Sequence, residues 1–215
     1  MSPEQRKEAS ELQLHKRGIR INVQLHVIES DEEVSLRSKD EVFQRLIALW
    51  AVSSAALARD CTGFRSYLSA HQMTSFLSEQ EQAFLFTESP TDEQFKSFSA
   101  RQESLYFLAW CAGLIEKVVV SAAPSNLNKV LKLFPFEVEA PTKLAAALRL
   151  SRKDVILDNS DLLYRLHWEV RHSQLTDRSC PASVNADTVR EWHQAVNWMC
   201  QYEEENNWDL VSTET

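Results

Sequence analysis

Two stretches of the chain concentrate side chains that can move protons, grip anions or stack on flat ligands. Tyr164, Arg165, His167, Trp168, Arg171 and His172 crowd the first; Glu191, Trp192, His193, Asn197 and Trp198 crowd the second. At ~100° per residue, Tyr164, His167 and Arg171 fall on one face of a helix, and His193 and Asn197, four apart, fall on one face of another. If those helices pack together, imidazoles, a guanidinium and a carboxylate meet between them. The candidate pocket is therefore Tyr164, Arg165, His167, Trp168, Arg171, Glu191, His193, Asn197 and Trp198. Three outcomes are open to such a set. It can be a buried polar network that fixes how two helices dock, or a pocket for a small ligand or peptide. It can also be a hydrolytic site, with His167 or His193 as general base, Glu191 as its partner and Arg171 on an anionic substrate. A metal version of the last would use His167, His193 and Glu191 as ligands.

No motif backs the catalytic versions. His167 and His172 lie five apart, ~140° around a helix, so they do not form the i, i+4 pair of HExxH. There is no GxSxG elbow for acyl transfer. The three glycines, Gly18, Gly63 and Gly113, stand alone, so neither a phosphate-cradling loop nor a GxGxxG fingerprint can be drawn. Cys61, Cys111, Cys180 and Cys200 form no CxxC pair. No cofactor and no metal are expected on these grounds.

The elements that must position the constellation read as helices. Nine Gly and Pro residues in 215 are too few for a turn-rich β fold. Residues 3 to about 17 read as a charged helix closed by Gly18. Ile21, Val23, Leu25 and Val27 alternate with polar residues, which suits an extended arm lying on helices. Ser38 with Glu41, Ser78 with Glu81, and Ser99 with Gln102 are capping boxes. They predict helices from Lys39 to about Arg59, across Ala83 to Phe86, and from Ser99 to about Val119. Residues 61–70 read as a turn around Gly63. Short helices are expected at 127–133 and 143–150, with the run Phe134-Pro135-Phe136 left as loop, helix or arm. Ser151 with Asp154 predicts a long helix to about Leu175, and Asn185 caps the last helix, whose inward stripe is Val189, Trp192, Val196 and Met199.

The fold expected is a single all-α globular domain over 1–215, of six to eight helices, with a helix and short extended arm at 3–37 and a helical core at 38–215. A formal charge of −8, and seven acids against Arg190 alone in the last 31 residues, argue against a nucleic-acid surface. The longest apolar run, Leu105 to Ile115, is too short to span a membrane, and the charged N-terminus lacks a signal peptide's apolar region. A cytoplasmic, reduced chain is expected. Its partner would be a protein or a small molecule, and its aromatic content leaves room for a homodimer.

The strings LRSKDEVFQRLIALWAV, FSARQESLYFLAWCAGLIE, LDNSDLLYRLHWEVRHSQL, VREWHQAVNWM and WDLVSTET, in this order over about residues 5–215, resemble the bacterial domain-of-unknown-function family 4272. The resemblance implies an all-helical cytoplasmic domain and assigns no activity; the likeness of Trp208 to Ser212 to the family's ending implies a tail folded back onto the domain through Trp208, with a frayed terminus as the alternative. The chain departs from the family pattern at Ala100, where the family has Trp, at His172, where it has Asp, and at Trp192, where it has Arg. Swapping charged partners at the last two weighs toward a structural or ligand-shaping role. The sequence thus favours a non-enzymatic binding module, with a small-molecule hydrolase as the alternative.

Overall fold

Four helices open on a reciprocal capping box, in which a hydroxyl takes an orphan amide and the residue three on reaches back. These are α1 (Pro3–Lys16, Ser2 with Gln5), α2 (Lys39–Ala58, Ser38 with Glu41), α4 (Glu79–Phe86, Ser78 with Glu81) and α5 (Asp92–Cys111, Thr91 with Gln94). The computed structural model describes residues 1–135 and 138–215, and among these it holds eight α-helices and no strand. The others are α3 (Thr62–Ala70), α6 (Thr142–Ala147), α7 (Lys153–Leu175) and α8 (Ala186–Met199), the last capped by Asn185 accepting from the Thr188 amide. In space α2 packs on α5, α5 on α8, α8 on α7 and α7 on α1, while α3 and α4 cover the free side of α2. One contiguous apolar core runs through all of these layers.

Among the described residues one helix, α2, is long and apolar enough to cross a membrane, but two thirds of that window, 67%, is buried inside the domain. Its apolar residues face α5 and the α3–α4 pair from opposite sides, which is what a central core helix requires.

Several boundaries differ from the sequence expectations, each for a local reason. Residues 62–70 form α3 rather than a turn, because Gly63 sits in the first turn of a helix whose Tyr67 and Leu68 reach the core. The helix expected from Ser99 starts at Asp92, since Thr91 with Gln94 is an earlier cap and Ser99 turns its hydroxyl to the Lys96 carbonyl. That helix ends at Cys111, not Val119. Its last carbonyls are taken by another segment: the Arg149 amide donates to Ala112 O at 2.9 Å and the Ser151 amide to Cys111 O at 2.8 Å. Gly113 permits this approach, with φ +73° and a space where a Cβ would lie 2.2 Å from Arg149 O. Ser151 does not cap α7; its hydroxyl donates to Trp110 O, and Arg152 holds the N-cap position without a side-chain bond. Of the helix expected at 127–133 only a 3₁₀ turn, Leu131–Leu133, is present, and the expected 143–150 helix is Thr142–Ala147. Phe134 is buried and stacks on Trp50, whereas Phe136 lies outside the described residues.

Residues 19–37 form the arm. It lies across α1 and α7 with no ladder, so its carbonyls need other donors. Cationic side chains supply them: Lys7 Nζ to Val23 O and Leu25 O (both 2.7 Å), Arg165 Nη2 to His26 O (3.1 Å), and Lys153 Nζ to Val34 O (2.7 Å). The expected alternation is only partly kept, because Leu25 is buried while Val23 and Val27 are exposed.

α1 buries only Arg6, Ser10 and Leu14. One leucine contributes about 2–3 kcal/mol, far less than the ordering entropy of a 14-residue helix. Ion pairs complete the docking. Arg6, 1% exposed, donates to Asp158 and Asp31 at 2.9 Å each. Arg165, also 1% exposed, grips the fully buried Asp161 through Nε (3.0 Å) and Nη2 (2.7 Å) and has Glu11 of α1 3.7 Å away. Removing one member of such a pair leaves a buried charge uncompensated. Arg165→Met should therefore lower the unfolding free energy by about 3–5 kcal/mol in urea titrations, and adding Asp161→Leu should recover most of it. A double variant no more stable than the single one would show that the pair does not hold this region.

Candidate functional site

α7 and α8 meet through two imidazoles. His167 Nδ1 lies 2.8 Å from His193 Nδ1, with the rings nearly perpendicular at a centroid distance of 5.0 Å. Two neutral rings can share that contact only if one donates and the other accepts. The direction follows from the neighbour: Asn197 Nδ2 lies 3.3 Å from His193 Nε2 and donates to Ser212 O at 2.9 Å. With Nε2 accepting, His193 carries its proton on Nδ1 and donates it to His167. Burial pushes both rings down, His167 to about 4 with help from Arg171, and His193 to about 3 with help from His167. The seam is thus an uncharged polar contact at neutral pH, made of weak bases already spent on each other.

The other members of the nine-residue constellation are distributed around this seam. Tyr164 stands next to His193, ring centroids 6.3 Å apart, and its hydroxyl is pushed up by burial. Arg171 is exposed and reaches the Thr213 carbonyl of the tail at 3.5 Å. Arg165 points away, into the α1 ion network. Trp168 stacks on His172 at the surface, where Arg20 Nη1 lies 3.1 Å from His172 Nε2.

Glu191 is the clearest separation. Two positions before His193, it leaves α8 on the opposite side, accepting from Ser104 Oγ (2.7 Å) and Arg101 Nη1 (3.2 Å) of α5. The acid–base pairing and the three-ligand metal set that the sequence allowed are not assembled. Among the described residues no three His, Cys, Asp or Glu are grouped to hold a metal. Nor is a thiol poised for attack: burial pushes Cys111 well above its ordinary range and Cys200 up to about 12.

Trp198 belongs to a second cluster that the sequence reading missed. Arg37 lies over Trp198 at 5.0 Å, Arg45 over Trp208 at 4.8 Å, and the two indoles meet edge to face at 5.9 Å. Arg45 is in turn paired with the buried Glu81 of α4. A single arginine inside the apolar run Val42–Val52 was the available signal. Two of the departures from the family pattern also gain roles. Trp192 donates through Nε1 to Glu103 at 3.2 Å and stacks on Tyr106, and His172 carries the Trp168 stack.

Above the seam two concavities of about 400 and 500 Å³ adjoin, sharing Ile28, Glu29, Ser160, Asn197 and Tyr202. The first has Tyr164 and His193 in its lining, the arm from His26 to Glu29 as one wall, and Glu214 and Thr215 of the tail as another. Glu29, Glu33, Glu203, Glu204 and Glu214 line the pair, and neither includes a lysine or arginine.

The neutral seam makes stability depend on pH with a definite sign. Both imidazoles have folded values below the ordinary 6.5, so their contribution is fully present above about pH 6.5 and is lost as pH falls toward about 4 and about 3. Between pH 7.5 and 5 the melting temperature of the wild type should fall more than that of the His167→Gln, His193→Gln double variant. Parallel curves would show that the pair is not buried neutral.

No curated protein and no solved structure matches the chain. The family model described as "Domain of unknown function (DUF4272)" matches residues 6–211, and the chain belongs to that family.

Proposed function

We propose that this DUF4272 chain is a non-enzymatic binding module, and that the twin concavity over the α7–α8 seam takes a small organic cation with one or more amino groups. The observation that carries this reading is the lining: five glutamates, two tyrosine rings (Tyr164 and Tyr202) and no lysine or arginine among the residues that line a joined space large enough for a ligand. Carboxylates attract an ammonium group over distances up to the screening length, and a tyrosine face adds a cation–π contact. The neutral imidazole at the floor adds no repelling charge.

The absence of an assembled acid–base pair supports binding over turnover, because Glu191 is committed to α5 and the two histidines to each other. Four free thiols suit a reducing, cytoplasmic setting.

Calorimetric titration with spermidine at low salt tests the reading, with citrate as the anionic control. Spermidine should bind and citrate should not, and binding should weaken as salt is raised. The double variant Glu29→Gln, Glu214→Gln should weaken spermidine binding about three- to tenfold, as expected for exposed charge contacts. Equal response to citrate, or spermidine binding untouched by the double variant, would refute the assignment.

A further inference from the structure

The tail after α8 is docked chiefly through Trp208 and Asp209 and led in by a strained turn. Among the described residues six non-glycine positions have left-handed backbone, and three of them lie between 201 and 204: Gln201 (φ 52°), Glu203 (φ 55°) and Glu204 (φ 57°). Side chains other than glycine adopt this conformation against a steric penalty, so the concentration of three in one turn stores strain. Beyond the turn, Trp208 is 2% exposed in a socket made by Arg45, Arg101 and Trp198.

Polar contacts fix the anchor. Ser78 Oγ and the Gln80 amide donate to the Asp209 carboxylate at 2.7 and 3.0 Å, at the positive end of α4, and Gln194 Nε2 donates to Trp208 O at 2.9 Å. Yet closing the indole over the socket leaves Trp208 Nε1, Arg45 Nε and Glu81 Oε1 buried without a partner. Unpartnered buried groups oppose the closed state, so opening is easier than the buried area alone implies.

Apart from Asn207 N, which donates to Glu205 Oε1 at 2.6 Å, the polar contacts that residues 206–210 make outside their own segment run to the body of the domain: Arg37 to Asn206, Ser78 and Gln80 to Asp209, and Gln194 to Trp208. A tail from another copy would satisfy the same socket, while the turn, no longer reversing direction, would shed its left-handed residues. We propose that the chain forms a dimer by exchanging residues 206–215, each Trp208 seated in the socket of the other copy. Exchange preserves the docked surface and relaxes the strained hinge, the condition that favours swapping over a closed monomer. Exchange carries Glu214 and Thr215 into the partner's concavity, and relaxing the turn moves Tyr202, Glu203 and Glu204 of the same lining.

The test uses two single variants of the full chain, Ser78→Cys and Asp209→Cys. Neither alone can form a 78–209 bridge within one chain, so mixing them at high concentration under mild oxidation reports exchange directly. A disulfide-linked heterodimer whose peptide map joins positions 78 and 209 is expected, and it should be lost when Trp208→Ala is added to the Asp209→Cys chain. Light scattering of the otherwise unmodified protein across concentrations provides the second readout. A concentration-dependent dimer is expected, and Gln201→Gly with Glu203→Gly, which relieves the turn, should weaken it by about tenfold or more. A strict monomer at all concentrations, or a dimer without the 78–209 link, would overturn the proposal.

Discussion

The bidentate contact between Arg165 and Asp161 is the interaction on which the docking of α1 and the arm depends. Asp161 is fully buried one turn earlier on the same helix, so the pair is local in sequence and needs no long-range search to form. Once made, it places a guanidinium with a spare face toward α1 and the arm, where Glu11 and the His26 carbonyl lie. A helix as polar as α1 has little apolar surface with which to dock, and Arg6 repeats the arrangement with Asp158 and Asp31. The wall of the concavity at His26 to Glu29 therefore owes its position to charges buried in α7.

The opposite side of α7 is built on a different electrostatic principle. There the contact with α8 is two neutral imidazoles, which avoid the desolvation penalty that a charged pair would incur in the same place. One helix thus carries an ionic face toward α1 and an uncharged polar face toward α8. Falling pH acts on the imidazole face, because burial holds both rings neutral and protonation has to overcome it.

Much of this was legible in the sequence, and the exceptions have identifiable causes. Capping boxes at Ser38 and Ser78, the Asn185 cap and the stripe Val189, Trp192, Val196 and Met199 follow from local rules, the buried Trp208 follows from the resemblance of the tail to the family's ending, and each is present. The failures fall where a distant partner decides. α5 stops at Cys111 because residues 149–151 take its carbonyls, and nothing local announces that. Ser99 offered as good a cap as Thr91 by spacing, but Phe95 and Phe98 reach the core, which commits the preceding turn to helix. The periodicity of α7 and α8 did bring Tyr164, His167, His193 and Asn197 together. It could not show that Glu191, 200° around α8 from His193, belongs to α5, because helical spacing gives the angle around an axis and not which neighbour stands at each angle.

The arm is held mainly by its carbonyl groups, which lysine and arginine side chains from α1 and α7 contact. Every amino acid brings the same carbonyl. Outside anchors such as Ile19, Leu25, Val34, Asp31 and Arg37, the arm's other side chains can therefore change through mutation without altering its path. That uncouples the chemistry of the concavity's wall from the stability of the scaffold, so new ligand preferences can evolve there by single substitutions while the helices beneath remain as they are.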